Sequence, residues 1–166
     1  MREVDPMTIR NATQADLPVI ESIYADARAY MRAHGNLSQW SGGYPSRELL
    51  LADLSKNQLY VVEDEAIIGV FVYFFGNDPT YDVIEGAWLN DRPYGVIHRI
   101  AVGAHRKGVA SFVFEHCLAL CHNLKIDTHA DNIPMQKSLL KNGFTHTGII
   151  HLADGAPREA FQKTTL

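Results

Sequence analysis

The strongest constraint on the fold is a stretch in which a strand pattern, a helix pattern and a second strand pattern follow one another. Gly95–Val102 and Leu124–His129 are apolar runs of strand length, and Val109–Asn123 between them carries apolar residues at helical spacing. Two strands joined by a crossover helix pair in parallel, because the connection is too long for a hairpin. A sheet with a parallel pair is therefore expected.

Antiparallel pairing is expected on either side of this unit. Leu59–Glu63 and Ala66–Phe75 are strand patterns separated by a two-residue turn, which predicts a hairpin, and Phe144–Leu152 and Arg158–Gln162 are strands separated by a short turn. The predicted fold class is α/β of the mixed α+β kind, with a mixed, mostly antiparallel sheet and flanking helices. The other predicted elements are a strand at Met7–Arg10 and helices from Thr13 to about Ala33, over Arg47–Leu54 and over Asn132–Asn142.

Length and charge narrow the class of protein. At 166 residues the chain has room for one domain with a sizeable core, so residues 1–166 are interpreted as a single domain. The net charge of −4 does not suggest the positively charged surface that nucleic-acid-binding proteins carry, so nucleic acid is not an expected partner. No apolar run of about 18 residues occurs and the N-terminus lacks the apolar core of a signal peptide. A cytoplasmic protein without membrane contact is therefore expected.

Two cysteines four residues apart in the predicted helix raise the question of a metal site. Cys117 and Cys121 are flanked by His116 and His122, but this spacing is not one of the common zinc patterns. Free cysteine is among the residue types that are most often buried. The two thiols are therefore predicted to be buried or half-buried, and no metal is expected.

The turn between the strand Gly95–Val102 and the following helix is the most informative motif. It reads Gly103-Ala104-His105-Arg106-Lys107-Gly108 and leads into Val109-Ala110. Successive backbone N–H groups at a helix N-terminus form an anion site, and Arg106 and Lys107 add positive charge. The Walker A pattern and the dinucleotide-binding glycine pattern are both absent. The turn therefore predicts a phosphate site outside those two nucleotide-binding classes.

These residues resemble the GNAT superfamily of N-acetyltransferases, whose pyrophosphate loop reads Gln/Arg-x-x-Gly-x-Gly/Ala. His105–Ala110 fits, with His105 in place of the usual Gln or Arg. The family's second motif, Asn-x-x-Ala-x-x-x-Tyr-x-x-x-Gly-Phe, is similar to Asn132–Phe144, with Met135 and Leu139 at the Ala and Tyr positions. The resemblance covers roughly residues 7–163, is tightest over 98–144, and looks most like a bacterial subgroup of undefined substrate. It identifies the chain as a single N-acetyltransferase domain.

The resemblance implies acetyl-CoA as co-substrate and a splayed central strand pair, with a V-shaped opening between the strands that end at Val102 and His129. The pantetheine arm is expected along the backbone of Ile100–Val102, where an N–H group would polarise the thioester carbonyl. Asn132 is expected to contact the CoA arm. The residues that the resemblance assigns to acetyl-CoA are Ile100, Ala101, Val102, His105, Arg106, Lys107, Gly108, Val109, Ala110 and Asn132.

Acetylation of an amine needs a group that takes a proton, because an alkylamine is almost wholly charged at neutral pH. His98 shares strand parity with Ile100, and Asp127 and His129 share a face of the neighbouring strand. In relatives that resemble ribosomal-protein acetyltransferases, the position of Asp127 holds the base. The alternatives are structural: Asp127 pairs with Arg99 or a backbone group, His129 caps a loop or packs in the core, and His98 is a packed strand residue.

One departure from the family concerns the general acid. Many relatives carry Tyr at the position of Leu139, and leucine cannot donate a proton. A thiol of pKa about 8.5 leaves readily without help. Otherwise Tyr94, a histidine or water takes the role, or catalysis is weak and the chain is an acyl-CoA sensor. A structural or interaction domain is a third interpretation.

The acceptor is expected on the side built by the first two helices and the loop between them. Trp40 and Tyr44 in this loop either wall a substrate pocket or anchor the loop to the core. Gly76–Pro93 is a candidate functional loop whose acids, Asp78, Asp82, Glu85 and Asp91, either attract a cationic amine or form a solvated face. The predicted reaction is direct attack of a primary amine, on a small molecule or peptide, on the acetyl-CoA thioester. A homodimer paired through the edge of the final strand is a further expectation.

Overall fold

The computed structural model describes residues 6–37, 39–103 and 106–165. Within these residues the chain forms eight strands and four α-helices. The strands are β1 (Thr8–Asn11), β2 (Leu59–Asp64), β3 (Ala66–Phe75), β4 (Glu85–Gly86), β5 (Gly95–Val102), β6 (Asn123–Thr128), β7 (Thr145–His151) and β8 (Pro157–Thr164). The helices are α1 (Leu17–Ala33), α2 (Arg47–Ser55), α3 (Val109–Cys121) and α4 (Ile133–Lys141).

The eight strands form one sheet in the order β1-β2-β3-β5-β6-β8-β7-β4. β5 and β6 pair in parallel, and every other neighbouring pair is antiparallel. The connection from β5 to β6 runs through α3, as the strand–helix–strand pattern predicts. The predicted fold class, a mixed and mostly antiparallel sheet with a central parallel pair, is confirmed.

Apolar clusters cover both faces of the sheet, because neighbouring residues of each strand point to opposite sides. Phe71 packs with Cys117 and Cys121 of α3 in one cluster, whereas Val70 packs with Ile20 of α1 in the other. Both thiols are buried, as predicted, and burial raises the pKa of Cys117. The two clusters hold α3 and α1 on opposite faces.

α3 lies unusually close to the sheet at both of its ends. A Cβ on Gly69 would lie 2.9 Å from Cγ1 of Val109, the first residue of α3. A Cβ on Gly95 would lie 2.9 Å from Sγ of Cys121, the last residue of α3. The two glycines therefore let α3 rest on β3 and β5, with its N-terminus near the end of β5.

The structure corrects three details of the sequence-based prediction. β6 ends at Thr128, so His129 lies just beyond the strand, and the predicted loop Gly76–Pro93 contains the short strand β4, which pairs with β7. β8 lies between β6 and β7, so the expectation that the final strand offers a free edge to a second copy is wrong. None of the described helices combines the length and apolar character that a membrane span needs.

Candidate active site

The central feature of the sheet is a gap between its two parallel strands. β5 and β6 pair only at Gly95 with Leu124 and at Val96 with Lys125. Beyond these residues the strands separate, and a cavity of about 530 Å³ opens between Ile97–Ile100 and Ile126–His129. We call this cavity the central cleft. The predicted V-shaped opening is therefore present.

A β-bulge in β5 changes which side chains enter the central cleft. Val72 pairs with His98 and Val70 with Ala101, so the two residues between them, Arg99 and Ile100, stand opposite a single residue of β3. Arg99 accordingly has a φ of 50°, which an L-residue adopts only under constraint. The Tyr24 hydroxyl donates a hydrogen bond of 2.7 Å to the Arg99 carbonyl and so holds the bulge from α1.

The bulge overturns the parity prediction for His98. Ile100 packs with Ile97 in the apolar cluster against α3. His98 lies on the opposite face, where its ring contacts Phe74 and Tyr81 with centroid separations of 5.9 and 6.1 Å. His98 and Ile100 both line the central cleft, but they do so from different sides of the strand.

His98 is fixed by Asp78, one of the loop acids for which the sequence left two roles open, attracting a cationic amine or forming a solvated face. His98 Nε2 lies 2.7 Å from Asp78 Oδ2, and Asp78 is 8% exposed. Because an ionised carboxylate only accepts hydrogen bonds, Nε2 carries a proton, and whenever the ring is neutral Nδ1 presents a lone pair. The Tyr94 hydroxyl accepts a 2.8 Å hydrogen bond from the Asp78 backbone N–H, which fixes the start of this loop. Asp82, Glu85 and Asp91 are exposed, as the solvated-face alternative expects.

The ionisation of Asp78 follows from these contacts. Burial by itself would raise the pKa of Asp78, but hydrogen bonds from His98 and from Thr80 outweigh it, and the pKa falls to about 2. Thr80 Oγ1 donates to Asp78 Oδ1 at 2.7 Å. Asp78 is therefore a carboxylate at neutral pH and a strong acceptor for the His98 ring.

Asp127 lies beside His98 and is surrounded by polar groups. Its Oδ1 accepts a 2.6 Å hydrogen bond from the Tyr81 hydroxyl and lies 3.8 Å from His98 Nδ1. Its Oδ2 lies 3.3 Å from Nε of Arg158 on β8. Burial, followed by the charge of Asp127, raises the pKa of Tyr81 well above its ordinary value, so the phenol keeps its proton. The sequence-based alternative that Asp127 pairs with Arg99 is wrong.

Arg99 instead pairs with Asp53 at the end of α2. Its Nη2 and Nε lie 2.7 and 3.2 Å from the two carboxylate oxygens, a two-point contact. Its Nη1 donates to the Tyr44 hydroxyl at 3.3 Å. The bulge turns Arg99 toward α2, away from Asp127.

His129 and Asn132 close the cleft at the start of α4. His129 Nδ1 accepts a 3.0 Å hydrogen bond from the Asp131 backbone N–H, so one ring nitrogen caps the turn. Asn132 is the N-cap of α4, since its Oδ1 accepts from the Met135 N–H at 3.2 Å, and its Nδ2 donates to Gln39 at 3.2 Å. Both residues line the cleft. Leu139 is fully buried in the core beneath α4 and contributes no group to the cleft.

The predicted anion site lies where α3 begins. Gly108 is the N-cap residue with a φ of 81°, a conformation that favours glycine, and the first N–H groups of a helix have no partner within it. Val109 is buried, Ala110 is partly buried, and Lys107 is exposed. Arg106 Nη1 lies 2.5 Å from Asp64 Oδ2 on the hairpin turn. His105, also assigned to this loop, lies outside the described residues.

The residues predicted to bind the acceptor line the other wall of the central cleft. Trp40 is mostly buried, with its ring edge-on to Tyr24 at 5.4 Å, and Tyr44 is 38% exposed. The Tyr44 carbonyl accepts a 3.2 Å hydrogen bond from Arg28 of α1. Trp40 therefore anchors the loop and also walls the cleft, so the two interpretations given for it are compatible.

Comparison with known proteins identifies the class. Neither family models nor curated proteins give a match. Among solved structures, a GNAT-family acetyltransferase from Streptococcus agalactiae 2603 is 31% identical, with a TM-score of 0.88 over 96% of each chain. The chain belongs to the GNAT family. The resemblance inferred from the two motifs is thus confirmed, and acetyl transfer is the class of reaction.

Two more distant GNAT-fold structures agree with the architecture of this GNAT protein. Ard1 from Thermoplasma volcanium is 20% identical, with a TM-score of 0.65 over 98% of this chain and 99% of that one. Arabidopsis thaliana Naa50, solved in complex with the bisubstrate analogue CoA-Ac-MVNAL, is 12% identical, with a TM-score of 0.61 over 97% and 100%. At these identities the likeness concerns the fold.

Sequence reasoning did not identify three polar partners of His98 and Asp127. Asp78 was placed in a loop, Tyr81 was not singled out, and Arg158 was assigned only to a strand. A signal for Arg158 exists in hindsight, because it stands two residues from Ala160, the partner of Asp127 in the β6–β8 ladder. That pairing cannot be read from the order of the strands along the chain.

Proposed function

We propose that this protein transfers the acetyl group of acetyl-CoA to a primary amine by direct attack on the thioester, with His98 as general base. The observation that carries the proposal is a pair of acceptors in the central cleft without a donor between them. His98 Nδ1 and Asp127 Oδ1 are 3.8 Å apart, and neither hydrogen-bonds to the other. An ammonium group would supply that donor and would deliver its proton to His98.

The reaction balances as follows. The amine nitrogen, once deprotonated, forms a bond to the acetyl carbon, and the carbon–sulfur bond breaks. The ammonium gives one proton to His98 Nδ1 before the attack, and the nitrogen gives a second proton to the departing thiolate, directly or through solvent. The products are the amide, the free thiol and protonated His98, which then releases its proton to solvent. Histidine suits this exchange because it titrates near neutral pH. Asp78 holds the ring, and Asp127 orients the ammonium. His129 is the weaker candidate, since its Nδ1 already caps a turn.

The backbone of β5 beyond Val96 supports a place for the thioester. Its groups that point toward β6 have no strand partner once the β5–β6 ladder ends at Val96. We assign the pantetheine arm to Ile100–Val102, where a free N–H would stabilise negative charge on the thioester oxygen. Gly108–Ala110 with Arg106 and Lys107 would hold the pyrophosphate at the start of α3. Asn132 is assigned to the CoA arm.

A second candidate function is an acyl-CoA sensor, and Leu139 is the residue that favours it. A buried leucine gives no proton to the departing thiolate. Tyr94 is not a ready substitute, because its hydroxyl is engaged at the Asp78 backbone. A thiol leaving group needs little assistance near neutral pH. We therefore rank the enzyme above the sensor.

The test combines binding with turnover. Thermal-shift titration measures acetyl-CoA binding, and a thiol-release assay across small amines and peptides measures transfer. We expect His98→Gln to lower kcat by about 100- to 10,000-fold and to leave acetyl-CoA stabilisation unchanged. His146→Gln is the matched control, because His146 also pairs with a carboxylate, Glu159 at 2.6 Å, but lies on the surface. Saturable acetyl-CoA binding without thiol release on any amine would establish the sensor instead.

A further inference from the structure

Arg158 places a guanidinium with free donors in the wall of the central cleft. Its side chain is 15% exposed and lies among the cleft residues. It approaches Asp127 side-on, through Nε at 3.3 Å, at an angle that makes no hydrogen bond. Among the described residues, neither Nη nitrogen of Arg158 has a hydrogen-bond partner. The outer edge of the guanidinium, with its parallel N–H groups, is therefore available to a ligand.

The sheet register explains why this arginine faces the cleft. Asp127 pairs with Ala160, and Arg158 lies two residues before Ala160 on β8. Residues two apart on a strand share a face, so Arg158 and Asp127 are diagonal neighbours on the same side of the sheet. The direction of Arg158 is thus fixed by strand pairing.

Arg99, the other arginine that lines the central cleft, is not available to bind a ligand carboxylate. Arg99 contacts both carboxylate oxygens of Asp53 and the Tyr44 hydroxyl, so its three nitrogens are occupied. Among the described residues that line the cleft, Arg99 and Arg158 are the only arginines, and no lysine lines it. Arg158 is therefore the cleft cation whose donors remain unmatched.

We propose that Arg158 binds a carboxylate of the acceptor, and that the acceptor is a free amino acid. The proposal rests on the proposed function, because it takes the amine to lie beside His98 and Asp127. Asp127 stands between the two recognition points, with Oδ1 toward His98 and Oδ2 toward Arg158. A cationic amine therefore meets the acceptor pair, and an anion next to it meets the guanidinium.

The dimensions of an α-amino acid suit this arrangement. Its ammonium nitrogen and carboxylate carbon are only roughly 2.5 Å apart, from the standard N–Cα and Cα–C bond lengths. The two ends can thus contact neighbouring groups of opposite charge at once. Guanidinium binds carboxylate through two parallel N–H···O bonds, which lysine cannot reproduce. An amide, as in a peptide acceptor, offers Arg158 one neutral carbonyl oxygen, so it can form a single N–H···O bond but not the charged two-point contact.

The experiment compares each standard amino acid with its own primary amide, using wild type, Arg158→Lys and Arg158→Met in the thiol-release assay. We expect wild type to prefer the free acid, and Arg158→Lys to lower kcat/KM for the acid by about 10- to 100-fold, mainly through KM. The amide's kcat/KM should change by less than about 3-fold, because lysine can still donate to its single carbonyl oxygen and no two-point contact is lost. Arg47→Lys, at an exposed arginine paired with Glu21, is the matched control.

Two results would overturn the proposal. Equal losses for the acid and the amide in Arg158→Lys would mean that Arg158 only neutralises Asp127. Equal kcat/KM values of wild type for the amino acids and their amides would mean that the protein does not recognise the carboxylate.

A binding measurement distinguishes failure of the proposed transferase function from failure of the carboxylate site. If wild type releases no thiol with any amine, calorimetric titration of the same amino acids into the CoA-bound protein decides the matter. Binding that Arg158→Lys weakens, with no effect of Arg47→Lys, would keep the carboxylate site while the transferase assignment falls. No binding of any amino acid would overturn the carboxylate site as well.

Discussion

The two halves of the β5–β6 pair bury charge on the same face of the sheet in different ways. In the paired half, Lys125 is 5% exposed, and its Nζ lies 4.1 Å from the ring centre of Trp88 and 3.8 Å from that of Tyr94. In the splayed half, Asp127 lies among His98, Tyr81 and Arg158 beside an open cavity. One half holds a single cation on aromatic faces, and the other holds a network of opposite charges.

The difference shows what a splayed pair makes possible. Where the strands are hydrogen-bonded, Lys125 has no carboxylate within salt-bridge distance among the described residues, and burial lowers its pKa to about 8 against the weaker opposing effect of Asp82. Where they separate, each charge has a partner and a route to a ligand. On this one face of the sheet, a buried charge is therefore unpaired at Lys125 and paired beside a cavity at Asp127, two residues further along β6. Removing charge should therefore have opposite effects on stability in the two halves.

The largest expected effect comes from Asp127→Asn in the splayed half. The amide keeps an oxygen for the Tyr81 hydroxyl but leaves Arg158 without a counter-charge, so we expect a loss of about 2–3 kcal/mol in the free energy of unfolding. Denaturant unfolding at neutral pH measures it. Asp131→Asn is the control, because that carboxylate is 54% exposed and loosely placed at 3.6 Å from His129.

A double variant sharpens the assignment of this loss. If the cost of Asp127→Asn is the unpaired charge on Arg158, then adding Arg158→Met should recover most of it. Additive losses in the double variant would show that the two side chains stabilise the fold independently.

The second expected effect is acid sensitivity from Asp78. The pKa of Asp78 is about 2 in the folded protein, against an ordinary value of 3.8. The ionised carboxylate therefore stabilises the folded state at pH values above 3.8. Stability from Asp78 is therefore complete above pH 4 and is lost as the pH falls toward 2, a total of about 2 kcal/mol. We expect Asp78→Asn to be less stable than wild type at pH 7 and to show a smaller loss between pH 4 and 2. Parallel acid profiles for the two proteins would contradict this.

The smallest expected effect is a gain in the paired half. Lys125→Met removes a buried cation and keeps an unbranched chain, so we expect a stabilisation of about 1 kcal/mol at pH 7, limited by the loss of two cation–π contacts. Because the pKa of Lys125 falls from 10.5 to about 8, the unfolded chain binds more protons between these values and wild-type stability rises with pH. The advantage of methionine should therefore shrink from pH 8 to pH 10.5. A loss of stability in Lys125→Met at pH 7 would contradict the expected difference between the paired and splayed halves of the β5–β6 pair.

Much of the fold follows from local patterns in the sequence. The run from Gly95 to His129 predicts the parallel pair because a crossover helix allows little else, and the glycine turn before Val109 predicts the helix N-terminus at the end of β5. His98 and Asp127 were named from strand position, and both line the central cleft. These predictions depend on periodicity and on the connection between consecutive elements.

The rest depends on contacts between distant segments. The bulge at Arg99 reverses the face of Ile100, and nothing in an apolar strand pattern marks an extra residue. Asp78 is 20 residues from His98, and Arg158 is 31 residues from Asp127, so neither partnership leaves a local trace. An acid in a loop is indistinguishable from a solvated acid until its partner is in place.

The short β5–β6 ladder also has a mechanical meaning. The sheet consists of two four-stranded plates, β1-β2-β3-β5 and β6-β8-β7-β4, joined along a seam of two residue pairs. Such a seam resists bending less than a full-length ladder, because fewer hydrogen bonds oppose a tilt of one plate against the other. The width of the opening therefore depends on this short seam and on α3, which contacts β3, β5 and β6.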